Sequence, residues 1–385
     1  MSGNKNKPKL SLYSEVYNQL KQDILEGKYP PGSMLPTELE LTETFYVSRI
    51  TVQKAMQMLR KEGYISRIAG RGTFVERIPT QAKQRTIGLA LCNVGASFGL
   101  RILTAVERTA AQHGYHVIFK NSLDDSETET KAIQDLVALG VDGLLIQPIH
   151  EEYYNKALIQ YHFDKFPIVL VDRNFPGFSI PGVSTNNFDA AVAATEHLFQ
   201  HGHEHIAFIS SPQSKTSTVE DRVNGFTSAH FMANRQVTEA NFLDGVLSPH
   251  RGNDPDVQTQ DVQLIKEYLS NNPQITALIA SEFTVAKLLF RALRELHKKV
   301  PEDYSVIMFD ENDAVAGPDV THVQQDQDEI GRIATETLLA KINQKIVSNK
   351  IYVPFRIVAG DTVRRIAEPL SLQRPPSYPP HIEHK

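Results

Sequence analysis

From Thr86 to about Arg365, short apolar segments alternate with longer amphipathic ones, and this alternation restricts the fold more than any other feature of the chain. The apolar segments predict strands at 86–92, 116–120, 143–147, 167–172, 205–209, 277–280, 305–309 and 352–358. The segments between them have a helical period, at 100–113, 128–139, 187–200, 219–232, 286–297 and 329–345. Continuously apolar strands separated by helices indicate parallel sheets covered on both faces. About 285 residues exceed one compact core, so we expect two α/β lobes.

Polar and aromatic side chains follow the ends of the predicted strands, where ligands bind in open α/β folds. These residues are Phe98, Asn121, Gln147, Asp172, Arg173 and Asp310. Carboxylates and arginine suit a ligand rich in hydroxyl groups, and an aromatic ring at Phe98 could stack on a sugar. Two structural alternatives stay open, because Phe98 could pack within its own loop and Asp172 could pair with Arg173. The expected ligand site lies between the two lobes.

The first 78 residues have a different pattern, with three helical segments followed by a hairpin. The second segment opens at Thr37 with Glu40 three residues later, which can form a capping box, and Ser48 can cap the third. The segments 64–67 and 73–75 predict two strands around a basic, glycine-rich tip. Three helices and a β-hairpin in about 65 residues indicate a winged helix-turn-helix, whose third helix enters the DNA major groove.

This segment resembles the DNA-binding domain of GntR-family regulators. The resemblance rests on Leu35-Pro36-Thr37-Glu38, Val47-Ser48-Arg49-Ile50-Thr51-Val52, Glu62-Gly63-Tyr64-Ile65 and Gly70-Arg71-Gly72-Thr73-Phe74-Val75. It implies DNA contacts from Thr37, Glu38, Ser48, Arg49, Thr51, Gln53, Arg71, Gly72 and Thr73. Arg49, in the first turn of the third helix, is the candidate for bidentate reading of a guanine. Many relatives have basic residues where this chain has Leu39 and Gln53, which predicts a different operator sequence, and Glu38 has a structural alternative as a first-turn acid.

The region after Thr86 resembles the effector domain of LacI/GalR-type regulators. The resemblance rests on Gly140-Val141-Asp142-Gly143-Leu144, Val171-Asp172-Arg173, Gly202-His203, Asp221-Arg222-Val223-Asn224-Gly225-Phe226 and Val300-Pro301-Glu302. It implies that Arg222 and Asp310 contact the effector. Glu282 stands where relatives usually have aspartate, and its longer side chain would shrink the pocket or shift a hydrogen bond. Alternatively, Arg222 could pair with Glu220 or Asp221 on its own helix.

A GntR-type winged helix joined to this effector domain is similar to the arrangement of the arabinose repressors. The resemblance implies a homodimer that binds a pseudo-palindromic operator as a repressor of carbohydrate-utilisation genes, controlled by a small sugar. A regulator that responds to a non-sugar or phosphorylated metabolite is the alternative. A sugar-modifying enzyme fits less well, because no phosphate-binding glycine loop or nucleophile elbow follows a strand. A solute-binding protein also fits less well, because it would need export and would leave residues 1–78 unexplained.

Charge and composition agree with this division. Residues 1–80 carry seven Lys and five Arg against eight Asp and Glu, on a chain whose net charge is −5. A basic first domain on an acidic remainder indicates a polyanionic partner for the first domain, and a chance excess of charge is the alternative. The single cysteine, Cys92, and the absence of a signal peptide predict a cytoplasmic protein.

His201, His203 and His205 suggest metal ligands, but solvated turn histidines are favoured, and we expect no metal or cofactor. The predicted domains are 1–78 and 86–370, joined by a linker at 79–85 and followed by a disordered Pro-rich tail at 371–385.

Overall fold

The computed structural model describes residues 11–76 and 84–366, except for 93, 96, 150–154, 176, 213–215, 252–253 and 312–318. The chain divides between Gln84 and Arg85 into two compact units. Most of the linker predicted at 79–85, and all of the tail predicted at 371–385, lie outside the described residues. Within the described ranges, no helix is long and apolar enough to cross a lipid bilayer.

The first unit contains three helices and a two-stranded antiparallel hairpin, as the sequence predicted. The helices are α1 (Leu12–Leu25), α2 (Glu38–Phe45) and α3 (Arg49–Lys61), and the strands are β1 (Ile65–Ile68) and β2 (Gly72–Val75). Thr37 and Glu40 form the capping box of α2, and the Ser48 side chain caps α3. Capping satisfies backbone N–H groups that have no partner inside the helix, so these side chains determine where each helix begins. Val16, Leu20, Leu41, Val52 and Leu59 meet in the core that joins the three helices.

The second unit has two lobes, each built on a six-stranded sheet. In lobe 1 the strand order is β13-β7-β6-β5-β3-β4, and all neighbours are parallel. Its strands are β3 (Thr86–Leu91), β4 (His116–Asn121), β5 (Gly143–Ile146), β6 (Ile168–Val171), β7 (Gly182–Thr185) and β13 (Lys350–Val353). Its sheet is covered by α4 (Leu100–Gln112), α5 (Ser126–Ala138), α6 (Lys156–Phe163) and α12 (Gln327–Ile342).

Lobe 2 repeats this arrangement with the strand order β14-β12-β11-β10-β8-β9. Its strands are β8 (Ile206–Ile209), β9 (Phe242–Leu243), β10 (Ala277–Ala280), β11 (Ser305–Phe309), β12 (His322–Gln325) and β14 (Phe355–Val358). Only the edge strand β14 pairs antiparallel among the strands described in this sheet. Its helices are α7 (Asn187–Gln200), α8 (Ser217–Met232), α9 (Ser248–Arg251), α10 (Pro255–Asn271) and α11 (Phe283–Glu295).

The chain passes between the lobes at three places. After β7 of lobe 1, helix α7 packs Ala190 and Ala194 into the core of lobe 2. After β12 of lobe 2, helix α12 packs Ile330 and Leu338 into the core of lobe 1. The third passage is at Pro354, between β13 and β14. Each lobe is therefore assembled from separate parts of the chain.

One predicted strand is wrong, and several elements were not predicted. The segment predicted as one strand at 352–358 is two strands that belong to different sheets, broken at Pro354, which has no N–H to donate. The sequence pattern did not predict the strands β7, β9 and β12 or the helices α6, α9 and α10. The other predicted helices and strands exist, with ends displaced by at most three residues.

Candidate functional site

A cavity of about 400 Å³ lies between the two lobes, at the carboxyl ends of their strands. Its lining combines acidic, basic, hydroxyl and aromatic side chains from both lobes. Of the seven residues predicted to bind the effector, six line this cavity: Phe98, Gln147, Asp172, Arg222, Glu282 and Asp310. Arg173, at the end of the same strand as Asp172, also lines it.

Asn121 is the predicted site residue that does not line the cavity. Its Oδ1 accepts a hydrogen bond from the backbone N–H of Leu123 at 3.0 Å, inside the turn after β4. Leu123 and Asp124 both have positive φ in this turn, and Asp124 is the residue that reaches the cavity. The prediction failed because a tight turn separates the strand end from the part of the loop that faces the cleft.

Asp172 and Asp310 occupy equivalent positions, since β6 and β11 have the same place in the two sheets. Both have left-handed backbone conformations, with φ of 65° and 74°. Gln147 Nε2 donates to Asp172 Oδ2 at 2.9 Å, and Gln325 Nε2 donates to Asp310 Oδ1 at 2.6 Å. Each lobe therefore presents one carboxylate that a glutamine orients, and burial raises the pKa of Asp172.

Arg222 is 4% exposed and is held by its own lobe. Its Nε donates to Asn187 Oδ1 at 2.8 Å, its Nη1 donates to the carbonyl oxygen of Ser281, and its guanidinium lies 4.1 Å from the ring centroid of Phe309. Arg222 therefore binds these groups and not Glu220 or Asp221, which were the alternative partners. The remaining N–H groups of a guanidinium held in this way are available to a ligand in the cavity.

The contacts of Arg173 and Phe98 test the two structural alternatives, which were pairing of Asp172 with Arg173 and packing of Phe98 within its loop. Arg173 Nη1 donates to the carbonyl oxygens of Pro148 and Ile149, at 2.9 and 2.5 Å, so the alternative of direct pairing with Asp172 is wrong. Phe98 is half-buried, lines the cavity and also packs against the core of lobe 1. The ring therefore serves loop packing and cavity lining together.

Glu282 precedes α11, and its side chain makes no capping hydrogen bond with that helix. Burial and, to a smaller extent, the neighbouring carboxylate of Asp310 raise the pKa of its carboxyl to about 7, against the opposite effect of Arg222. A carboxylic acid with this pKa is partly protonated near neutral pH, so Glu282 can donate as well as accept a hydrogen bond.

Several cavity residues were not predicted. Gln325 lies at the end of β12, a strand that the sequence pattern did not reveal, and Thr216 caps α8, whose predicted start was two residues late. Pro249 and His250 belong to the short helix α9.

In the first unit, the predicted DNA-contacting residues of α2 and α3 lie close together around Glu38. Its carboxylate accepts from Gln53 Nε2 at 2.8 Å and Arg49 Nε at 3.3 Å, and Arg67 Nη1 lies 3.8 Å away. The side chain of Arg49 is nevertheless 72% exposed. Among the described residues, only Nε of Arg49 has a partner, and its Nη groups are the atoms that pair with a guanine edge.

Thr37, Ser48 and Thr51 form hydrogen bonds at the N-termini of α2 and α3. Glu40 N–H donates to Thr37 Oγ1, and Thr51 N–H donates to Ser48 Oγ, both at 3.3 Å. The two caps place exposed helix N-termini, which favour phosphate, beside Glu38 and Arg49. At the hairpin tip Arg71 is exposed between Gly70 and Gly72, both with positive φ, whereas Thr73 is half-buried.

The interpretation of the three histidines needs one correction. His205 is exposed, as expected for a solvated turn, but His203 is fully buried. Its Nδ1 lies 2.9 Å from Thr276 Oγ1 and its Nε2 lies 3.1 Å from the carbonyl oxygen of Arg364. Burial lowers the pKa of His203 to about 4, so this imidazole is neutral and joins three segments of lobe 2. Among the described residues, no group of three or more His, Cys, Asp or Glu could hold a metal ion.

Comparison with known sequences matches both units. The gntR family of bacterial regulatory proteins matches residues 12–75, and the periplasmic binding protein-like domain matches residues 195–363. The arabinose metabolism transcriptional repressor of Geobacillus stearothermophilus is 28% identical over 364 residues, which cover 90% of this chain and 97% of that protein. The ribose operon repressor of Halalkalibacterium halodurans is 26% identical, over 82% of this chain and 95% of its own.

Solved structures show the same fold for the second unit. The transcription regulator CcpA of Lactococcus lactis has a TM-score of 0.63 at 23% identity, over 73% of this chain and 100% of its own. A LacI family regulator from Enterococcus faecium, solved with bound ribose, has a TM-score of 0.61 at 22% identity, over 74% of this chain and 100% of its own. The sequence relatives named above are repressors rather than enzymes. The chain is therefore a transcription regulator, in which residues 12–75 match the gntR-family model and residues 195–363 match the periplasmic binding protein-like model.

Proposed function

We propose that this protein is a cytoplasmic repressor of carbohydrate-utilisation genes, whose operator affinity is controlled by a small, uncharged sugar bound between the lobes. The observation that carries the proposal is the cavity wall, in which both lobes contribute oriented carboxylates and one contributes the buried Arg222. Such groups match the paired hydroxyls of a sugar. The names of the arabinose and ribose repressors among its relatives support this class of ligand.

The charge of the cavity favours an unphosphorylated ligand over a phosphorylated one. Among the described residues, four carboxyl groups line it, from Asp124, Asp172, Asp310 and the partly protonated Glu282, against the guanidinium groups of Arg173 and Arg222. Both guanidinium groups already donate to carbonyl or amide oxygens of the protein. A phosphate would therefore meet more negative than positive charge at short range, which is unfavourable.

The ligand proposal is tested by thermal unfolding of the full chain with L-arabinose, D-ribose, D-xylose, D-glucose and D-ribose 5-phosphate. A ligand at a hundred times its dissociation constant stabilises the folded state by about 2.7 kcal/mol, which gives a measurable shift. We expect an uncharged sugar to raise the melting temperature and the sugar phosphate not to do so. Stabilisation by the phosphate alone would contradict the proposed ligand class, and no shift with any sugar would remove sugars as the effector.

Arg222→Lys provides the site-specific arm of this test. Lysine keeps the charge but loses the planar donors to Asn187 and Ser281, so we expect the stabilisation by sugar to disappear. The free energy of unfolding without ligand should fall by about 1–3 kcal/mol, because buried acceptors lose their donor. Arg291→Lys, on the exposed face of α11, is the matched control and should leave both measurements unchanged.

For the first unit, we propose that α3 and the β1–β2 hairpin contact operator DNA, with Arg49 as the principal base-reading residue and Thr37, Ser48, Thr51, Gln53 and residues 71–73 as further contacts. The protein would act as a homodimer on a pseudo-palindromic site, with sugar binding releasing DNA. Sedimentation of the protein with a selected operator duplex tests the stoichiometry. A complex of one protein chain per operator would contradict the dimer.

A further inference from the structure

An ion pair outside the cavity joins the two lobes. Arg101 lies in the first turn of α4, whose Ile102 and Val106 are in the core of lobe 1. Glu311 follows β11 of lobe 2, directly after the cavity residue Asp310. Arg101 Nη1 donates to Glu311 Oε2 at 2.6 Å, and neither residue lines the cavity. The contact can therefore respond to the position of the lobes without touching a ligand.

Both partners are also held within their own lobes. Arg101 donates from Nε and Nη2 to Asp328 Oδ2, at 3.0 and 2.6 Å, and Asp328 begins the helix α12 that packs in lobe 1. Glu311 Oε1 accepts from Gln324 Nε2 of β12 at 2.6 Å. Gln324 Oε1 in turn accepts from Arg356 Nη2 of β14 at 2.9 Å. A rigid rotation of one lobe against the other preserves all these contacts except the one between Arg101 and Glu311.

We propose that the Arg101–Glu311 pair is an interlobe latch that stabilises the arrangement in which the lobes approach each other across the cavity. The side chains are 38% and 21% exposed, so solvent screens their attraction. The pair is therefore weak enough to form and break reversibly. The anchors at Asp328 and Gln324 reduce the side-chain entropy that the pair loses when it forms. The latch thus sets the conformational equilibrium on which any ligand of the cavity acts.

A second contact across the cleft reports the lobe arrangement independently. The backbone N–H of Asn174, in the segment after β6 of lobe 1, donates to Ser217 Oγ at the start of α8 in lobe 2, at 3.2 Å. This hydrogen bond breaks when the lobes separate. Exchange of the Asn174 amide with solvent therefore measures how often they do so.

The test is hydrogen–deuterium exchange of the full, ligand-free chain, read on the peptide that contains Asn174. Arg101→Gln and Glu311→Gln should each increase exchange at Asn174 about two- to five-fold, at the upper end of the range of a half-exposed ion pair. The double variant should exchange no faster than the faster single variant, since both changes remove the same contact. In the parent protein, 0.5 M NaCl should reproduce part of the increase, and it should have little effect on Glu311→Gln.

Arg332→Gln is the matched control, because Arg332 makes ion pairs with Glu329 and Glu336 on the exposed face of α12 without reaching lobe 2. It should leave exchange at Asn174 unchanged. Unchanged exchange in both single variants, or effects that add in the double variant, would overturn the latch. The experiment uses no ligand, so its outcome is independent of the proposed sugar.

Discussion

Glu38 shows how one side chain can determine what its neighbours present to DNA. It accepts hydrogen bonds from Gln53 and from Arg49 Nε, and these bonds lower the pKa of its carboxyl, so it is charged at neutral pH. The sequence left open whether an acid at this position is structural or contacts DNA. The geometry supports a structural role that still serves recognition, because the carboxylate orients the arginine proposed to read a base.

Glu38→Gln tests this orientation. We expect affinity for a selected operator to fall while affinity for a scrambled duplex rises, because a negative charge beside the phosphates is removed along with the tether. The ratio of specific to non-specific affinity should fall about ten-fold, within the range for one bidentate base contact. Fluorescence anisotropy at fixed salt measures both constants. Glu43→Gln, an exposed acid on the same helix, is the control, and an equal change in that variant would exclude a specific role for Glu38.

Glu282 predicts a pH dependence of stability. Its pKa is raised from 4.5 to about 7, so the folded protein holds this proton more tightly than the unfolded chain does. The stabilisation from protonated Glu282 is complete below about pH 4.5 and is lost as the pH rises to 7 and beyond. Glu282→Gln should remove this loss, so the ligand-free variant should be more stable than the parent protein at pH 8, by roughly 2–3 kcal/mol.

Urea denaturation at pH 5 and pH 8 measures this difference. At pH 5 the two proteins should have similar stability, because glutamine resembles the protonated acid in shape and hydrogen bonding. A stability difference that is the same at both pH values would show that Glu282 does not titrate between them.

At the scale of elements, two glycines allow close packing of the helices α7 and α12, which carry the chain from one lobe into the other. A Cβ at Gly225 of α8 would lie 2.2 Å from the carbonyl oxygen of Phe188 in α7. A Cβ at Gly331 of α12 would lie 2.8 Å from the carbonyl oxygen of Ile102 in α4. Each glycine thus lets a crossing helix pack closely against a helix of the lobe it enters.

Gly225→Ala should therefore lower the free energy of unfolding, because the new methyl group meets backbone that cannot move without shifting α7. Overpacking of this kind costs about 1–3 kcal/mol, which exceeds the gain of about 1 kcal/mol from the better helix propensity of alanine. Thermal and urea unfolding measure the effect. Asn224→Ala, at the exposed neighbouring position, should be neutral or stabilising, and equal destabilisation by both changes would contradict the packing argument.

The whole molecule combines a basic DNA-binding unit with a larger acidic one. Residues 1–80 contain twelve Lys and Arg and eight Asp and Glu, while the net charge of the chain is −5. This asymmetry directs the first unit towards a polyanion and disfavours non-specific DNA contact by the second. The two units are therefore expected to respond differently to salt.

Operator affinity should fall steeply as NaCl is raised from 50 to 200 mM, because Lys and Arg displace counterions from the phosphates. Binding of an uncharged sugar should change far less over the same range, by about two-fold or less through the half-exposed Arg101–Glu311 pair. Fluorescence anisotropy with operator and calorimetry with sugar give the two dependences. A sugar affinity that fell as steeply as the operator affinity would contradict a ligand held mainly by buried, unscreened hydrogen bonds.

The sequence alone determined the class of fold, the order of the two domains and six of the residues that line the cavity. The helices α1, α3 and α7 follow from apolar spacing, and α2 follows from its capping box, because local periodicity and caps are encoded within a few residues. Asp172, Asp310 and Gln147 were located because strand ends in parallel sheets converge on one edge. Arg222 and Glu282 were identified through family resemblance and not from local pattern.

Only the tertiary structure decided contacts between distant parts of the chain. The division of 350–358 between two sheets depends on which partner strands are nearby, which local apolar pattern does not encode. Arg222 donates to Asn187 and Ser281 instead of its helical neighbours because packing turns its helix face towards the cleft. The pairing of Arg101 with Glu311 joins residues 210 positions apart, and such pairing arises only once both lobes have formed.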